Sequence, residues 1–488
     1  MQYKSIKNGS ISVYLSLTLC VMLSLIFVCM DAARLSCGRA AAGCALEESL
    51  FSEFANYDKA LYKKYGLMFI DGGYGGSSLQ IGSIMHDITD NVEDILYPGL
   101  LITGKTPGEL YRISIDDSSV TGYQLASDED FSPLITEICE LMKQKSGADI
   151  IKNAGKLSSS SGAAAMFSFD NADDAAKQLD SYIEEKNQIN NEQEQQIASM
   201  QSEAAEEADE TFNDPIENIK AILDMGIYAF AIPNEKGVST AKIDISKLAA
   251  GRKLSSGLGI MPQKSSDAFA KYYLTQYSID FFSNYLTAEK SDRLMYQTEY
   301  LIGGHDEDVK NLKTCMNKIL FTRMGLNYLY LISSAEKQSE ISKMAFLICS
   351  LLLSPEYIDE AASAITLAWT FAESYADVKA LYAGKKIALF KDEETWQTSI
   401  DLLGKMDKSA DANGNEKGLG YEEYLKMFLF TLPQKQLAER IAGLIEYNRR
   451  NEKNEFCIDN CIYALEVEYE GKIGKHKFSI DRSYGYKV

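Results

Sequence analysis

The stretch "AWTFAESYADVKAL" sets Trp369, Glu373 and Asp377 at i, i+4 and i+8, one above another on a single helical face. Two stacked carboxylates are what general acid–base chemistry uses, one holding a proton while the other stays ionised. The same pair suits a structural task, gripping an Arg or Lys from a neighbouring helix, and Arg323 is the natural candidate. The structural task is the expected one, with an envelope enzyme using Glu373 and Asp377 as an alternative.

Other chemistry finds little material. The three histidines, His86, His305 and His476, are isolated, and no HExxH, CxxC or GxSxG motif occurs. "YGLMFIDGGYGGSSL" pairs a short strand candidate with a glycine-rich turn, but it lacks the Lys-Ser/Thr of a phosphate loop, so a structural turn is expected. "DANGNEKGLGYEE" has the look of a calcium loop. With Gly414 as the sixth position, however, position one is Ser409 and position twelve is Gly420, where a bidentate Glu is required. A surface turn before a helix starting near Tyr421 is expected instead. No catalytic, cofactor-binding or metal-ligating residue is therefore assigned.

The elements that must position these residues begin with an apolar run. From Ile11 to Met30 there is no charge, proline or glycine. Twenty helical residues rise about 30 Å, the thickness of a hydrocarbon core. A secretory signal carries an apolar region of about 7–15 residues and then a small-residue cleavage site. Here the run is longer, and Ala40-Ala41-Ala42 lies well beyond it, so a retained anchor is expected over a cleaved signal. Lys4 and Lys7 on the N-terminal side compete with Arg34 and Arg39 beyond the run, and the short N-terminal stub followed by a long acidic domain is what favours a cytoplasmic N-terminus and an extracytoplasmic body. The chain carries 49 Lys and Arg against 70 Asp and Glu, a net charge of −21. That balance argues against nucleic acid or anionic headgroups as partners.

Leu46, Leu50, Phe54, Tyr57, Leu61 and Tyr65 continue as a 3.6-period stripe, predicting an amphipathic helix that extends the membrane segment. Alternation over Glu109–Ser127 predicts a hairpin or sequential strands. "FSPLITEICELMKQKSGADIIKNA" reads as a helix with Leu134, Ile135, Ile138, Leu141 and Met142 on one face. Residues 157–214 are polar and Glu/Gln-rich, an exposed linker or insertion. Asp214 is a helix cap before Pro215, and "GIYAFAIP" a strand. From about Asp267 to Arg450 helical patterns dominate. "MAFLICSLLL" is too short to span a membrane and predicts a buried core helix. The tail alternates like a hairpin turning at Glu470-Gly471. Nine scattered cysteines read as buried thiols, although Cys457 and Cys461 are near enough to pair.

The opening segment, "GYQLASDEDFSPLITEICELMK", "EYLIGGHDEDVKNLKTCMNKIL" and "LAWTFAESYADVKALYAGKKIALFK" together resemble an uncharacterised family from Gram-positive bacteria, similar to TadE/TadG-type pseudopilins of tight-adherence (Tad, or Flp) pilus and secretion systems. The resemblance implies a prepilin-type leader cut between Gly9 and Ser10. The chain departs from true pilins in carrying Tyr14 where a Glu is usual, which points to an accessory subunit more than a fibre subunit.

The expected fold is α+β and mainly helical, with a transmembrane helix continuing into a pilin-like amphipathic helix, small antiparallel strands and a large C-terminal helical domain. The expected divisions are a basic cytoplasmic leader over 1–10, the membrane helix over 11–30, a stalk and small α+β region over 31–156, the linker over 157–214 and the helical domain over 215–488. The expected function is that of a membrane-anchored structural or assembly protein, contacting the lipid bilayer through 11–30 and other pilus or envelope proteins, with no nucleic acid. A tethered ligand-binding or sensory domain is the other alternative.

Overall fold

Helix α1 runs without interruption from Asn8 to Ala55. The computed structural model describes residues 8–98, 104–146, 157, 238–260, 268–289, 292–351, 357–400, 403, 414, 418–453 and 455–486. Apart from Leu157, the polar stretch 157–214, the helix expected from Asp214 and the strand expected at "GIYAFAIP" lie outside the described residues. The architecture is mainly helical α+β, with one small antiparallel sheet. The chain divides into two compact units, the first made of Met1–Leu141, Ser246–Ser266 and Ile445–Val488, the second of Met142–Ile245 and Asp267–Leu444.

In the first unit the two halves of α1 meet different surroundings. The large apolar side chains between Ile11 and Met30 are exposed, whereas Ala42, Ala45, Leu46, Leu50 and Phe54 are buried. The buried face packs with Ile84, Ile88, Val92 and Leu96 of α3 (Ile81–Leu96), which recur every fourth residue and so line one face. Beneath both helices lies the sheet, contributing Leu465, Val467, Tyr469, Ile473 and Phe478 to the same core.

The stripe from Leu46 to Tyr65 is buried nearly throughout, but it belongs to two helices. Asp58 breaks it: its side chain accepts from the amides of Ala60 and Leu61, each at 3.0 Å, and so caps α2 (Lys59–Tyr65). Gly66, at φ +70°, ends α2 in the left-handed conformation that glycine adopts without strain. The glycine-rich segment that follows is a structural turn after the two-residue strand β1 (Ile70–Asp71).

Two strand expectations are corrected. Glu109 does not open a strand, because Thr106 and Glu109 form a capping box that starts the short helix α4 (Pro107–Tyr111). The chain then follows one strand, β2 (Ile113–Leu125), with no turn at its polar middle. The polar residues are absorbed by register irregularities between Ile115 and Asp117 and between Val120 and Gly122. The terminal hairpin turns at Gly474-Lys475, between β3 (Cys461–Ile473) and β4 (His476–Gly485), and not at Glu470-Gly471. Gly474 has φ +61°, which suits a two-residue turn. Gly471 serves close approach, since a Cβ there would overlap the Ser114 carbonyl. Strand β3 is central, bordered by β2 along one edge and by β4 and β1 along the other. Helix α5 (Asp128–Ser146) opens with Glu129, Asp130 and Phe131 at positive φ, held by Asp128, whose carboxylate accepts from the amides of Leu125 and Gly257.

The second unit is built from α6 (Ala270–Phe281), α7 (Gln297–Gly303), α8 (Asp308–Ser333), α9 (Ala335–Leu351), α10 (Ile358–Tyr382), α11 (Tyr421–Thr431) and most of α12 (Gln434–Arg449). Tyr273, Leu274 and Tyr277 of α6 are buried. Helix α9 corrects the expectation of a fully buried segment. Ile341, Ala345 and Cys349 face inward, but Phe346 and Leu347 are exposed, so the apolar run there is a two-sided helix with one wet face.

Candidate functional site

Glu373 and Asp377 lie on α10 one turn apart, both fully buried in the second unit. Arg323 of α8 approaches as the spacing predicts, with its Nε 2.9 Å from Asp377 Oδ2. Lys391, which sequence reasoning missed, bridges the two acids at 2.6 Å from Glu373 Oε1 and 2.8 Å from Asp377 Oδ1. Glu373 also accepts from the amides of Gln397 and Thr398 and from the Thr398 hydroxyl. Asn327 donates to Asp377 and to Ser374, and accepts from Arg323. The rest of the guanidinium donates to the carbonyls of Ala388 and Leu389 and to the Tyr424 hydroxyl. Burial alone would lower the pKa of Arg323, but the Asp377 carboxylate and Tyr424 outweigh it and raise that pKa.

Two cations thus answer two anions, and each carboxylate oxygen is engaged. A general acid or base needs an oxygen that substrate or water can reach. The geometry instead fits a neutral, hydrogen-bonded ionic core fastening α8, α10 and the 388–398 loop. No periodic signal marked Lys391, because it comes from that loop.

A second buried acid escaped the sequence reading. Glu299 of α7 is fully buried; its Oε1 accepts from the Tyr421 hydroxyl at 2.6 Å and from the Tyr285 amide at 2.8 Å. Its Oε2 has no hydrogen-bond partner among the described residues. Burial pushes its pKa up to about 7, against those two hydrogen bonds, and Asp308 adds to the rise.

The remaining candidates do not converge. His86 pairs with Asp90, His305 with Thr314 and His476 with Asp31. No group of three or more His, Cys, Asp or Glu side chains suited to a metal ion occurs among the described residues. Gly420, the required Glu position of a calcium loop, instead caps α11 together with Glu423, while most of 409–417 lies outside the described residues. Cys457 and Cys461 are buried, separate thiols, whereas Cys20, Cys29, Cys37 and Cys44 are exposed along α1.

The other functional feature is α1 itself. Among the described residues it is the one helix long and apolar enough to cross a membrane, and its place near the N-terminus fits an anchor or a signal sequence. Gly9 and Ser10 sit in its first turn. Where its apolar half ends, Asp31 meets His476 at 3.2 Å, and the seated half begins.

A family model matches residues 205–473, more than half of the chain. The chain belongs to DUF5702, a family of unknown function. The DUF5702 region takes in the ionic core, the Glu299 cluster and all of β3, and it begins well after α1. DUF5702 membership carries no link to Tad pili. Neither curated proteins nor solved structures give a match.

Proposed function

We propose that this DUF5702 protein is a single-pass, membrane-anchored structural or assembly subunit whose body lies outside the cytoplasm. The observation that carries this reading is the continuity of α1. One helix passes without a break from twenty uncharged, mostly apolar residues into the core of a folded unit.

Fourteen large apolar side chains between Ile11 and Met30 are exposed. At about 1.5 kcal/mol each, leaving them in water would cost about 20 kcal/mol, more than the net stability of an ordinary domain. A bilayer or a partner helix must cover them. Removal of this half as a signal at Ala40–Ala42 would cut inside the seated helix, since Ala42 and Ala45 are part of the core. Processing between Gly9 and Ser10 would leave the whole apolar run on the body.

An apolar rod whose far half rests on an antiparallel sheet is a pilin-like design, and the sequence resemblance supports placing it with a Tad-type envelope machine, as an accessory subunit. The reading requires no catalysis, and the occupied state of Glu373 and Asp377 supports that. N-terminal sequencing of protein extracted from native membranes tests the anchor, with the apolar run expected to be present. A soluble native form beginning beyond residue 30 would overturn it. Oxidative cross-linking through Cys20 and Cys29 tests assembly, and should join α1 to itself or to another apolar-helix subunit of the machine. Only monomers in native membranes would refute the assembly role.

A further inference from the structure

The net charge of −21 hides a local reversal at the end of the first unit where α1 leaves its apolar half. Strand β4 runs alongside α1 in the same direction. His476 meets Asp31, Arg482 meets Glu47 at 2.6 Å, and the Tyr486 hydroxyl donates to the Phe54 carbonyl. The β3–β4 turn is therefore level with Asp31, the first residue past the apolar run. Strand β2 starts at the same level, because Ile113 pairs with Ile473 and the Gly474 amide donates to the Arg112 carbonyl at 2.9 Å.

The headgroup layer adds about 5–8 Å to each side of the hydrocarbon core, or about four or five helical residues. With the core edge at Met30, that layer holds Arg34, Arg112, Lys475 and Lys477. Arg112, Lys475 and Lys477 are exposed and Arg34 half-buried. Among the described residues Arg34, Arg112 and Lys475 have no carboxylate at ion-pair distance. Of the acids near this level, Asp31 pairs with His476, Asp116 with Lys472 and Glu109 caps α4, while Glu93 stands exposed beside Tyr97, whose hydroxyl donates to the Ile113 carbonyl. Arg112 holds its place at φ +54°, a conformation that glycine would adopt more easily. Leu110 beside it is half exposed, as suits a side chain at a lipid boundary. One step further along β3 the sign changes, with Glu466, Glu468 and Glu470 alternating on one face and Asp481 opposite Glu468.

We propose that this end of the first unit is a basic collar that binds the phosphates of anionic phospholipids in the leaflet from which the body emerges. The collar attracts that surface while the acidic face above it is repelled, so the two together hold the unit upright on its rod. This inference rests on the anchor reading. It also revises, for this one end, the expectation drawn from net charge that anionic headgroups are excluded.

The test uses the full chain in lipid nanodiscs of phosphatidylcholine alone or with a share of phosphatidylglycerol, with hydrogen exchange read over Gly474–Lys477. Phosphatidylglycerol should slow exchange there several-fold, and K475E/K477E or the milder K475Q/K477Q should abolish the slowing. Unchanged exchange at buried Leu465 and Val467 shows that either variant is folded. Equal exchange in the two lipids, while the chain still floats with vesicles of both, overturns the collar and leaves the anchor standing. Failure to float overturns the anchor itself. Slowing by excess inorganic phosphate over phosphatidylcholine discs would overturn the assignment to lipid.

Discussion

Glu299→Gln isolates the buried acid of the second unit. The side chain is fully buried, and its pKa stands at about 7 in place of its ordinary 4.5. An acid raised in this way binds its proton more tightly in the folded state. The stabilisation is complete below about pH 4.5 and is lost as pH rises through about 7. Between about pH 5 and about pH 8 the wild-type unit should lose about 2.5 kcal/mol from this group. Glutamine cannot ionise and still offers an oxygen to Tyr421 and Tyr285, so the variant should keep that increment. Asp308 is also raised by burial and is present in both proteins, so only its charge coupling to Glu299 enters the comparison. Guanidinium unfolding in micelles, followed by tryptophan emission, reads the second unit alone, since Trp369 and Trp396 are the chain's two tryptophans. With a slope of about 4 kcal/mol/M, the wild-type midpoint should fall by about 0.6 M more than that of the variant. Equal pH shifts in the two proteins would refute the reasoning.

Asp377→Ala leaves Arg323 and Lys391 buried with one carboxylate between them, and should cost about 3–5 kcal/mol in the same tryptophan assay. In the first unit, Gly471→Val drives a side chain into the Ser114 carbonyl and parts β2 from β3, for about 2–3 kcal/mol by thermal unfolding. Gly474→Asn, in the turn with open space around it, should change stability by less than about 1 kcal/mol, which separates the two glycines. Gly38→Leu meets Ile473, whose Cγ2 lies 2.9 Å from where a Cβ would stand, and should cost about 1–3 kcal/mol by lifting α1 from the sheet.

What could be read from the sequence was what a single periodicity dictates. The uncharged run Ile11–Met30, the stripe through Leu46, Leu50 and Phe54, and the α10 face bearing Glu373 and Asp377 all declare themselves by spacing. Local chemistry that competes with periodicity was misread. Asp58 lies inside the span of that stripe, yet its carboxylate starts a new helix. Thr106 and Glu109 spell a capping box, which the alternation beginning at Glu109 masked. Gly471 and Gly474 are equally plausible turn residues in sequence, and only the approach of β2 distinguishes them. Partners brought by loops, such as Lys391, and lone buried acids, such as Glu299, have no local signature because their meaning comes from distant chain.

The seat of α1 also has a bearing on biosynthesis. Asp31 and His476 are 445 positions apart, and the strands that cover Leu46, Leu50 and Phe54 come from chain far downstream of α1. During vectorial synthesis the packed half of α1 stays bare until β3 and β4 have emerged. So late a closure is entropically slow and leaves the stripe open to wrong neighbours or to chaperones. A chain interrupted before β3 would therefore leave the N-terminal helix unseated first.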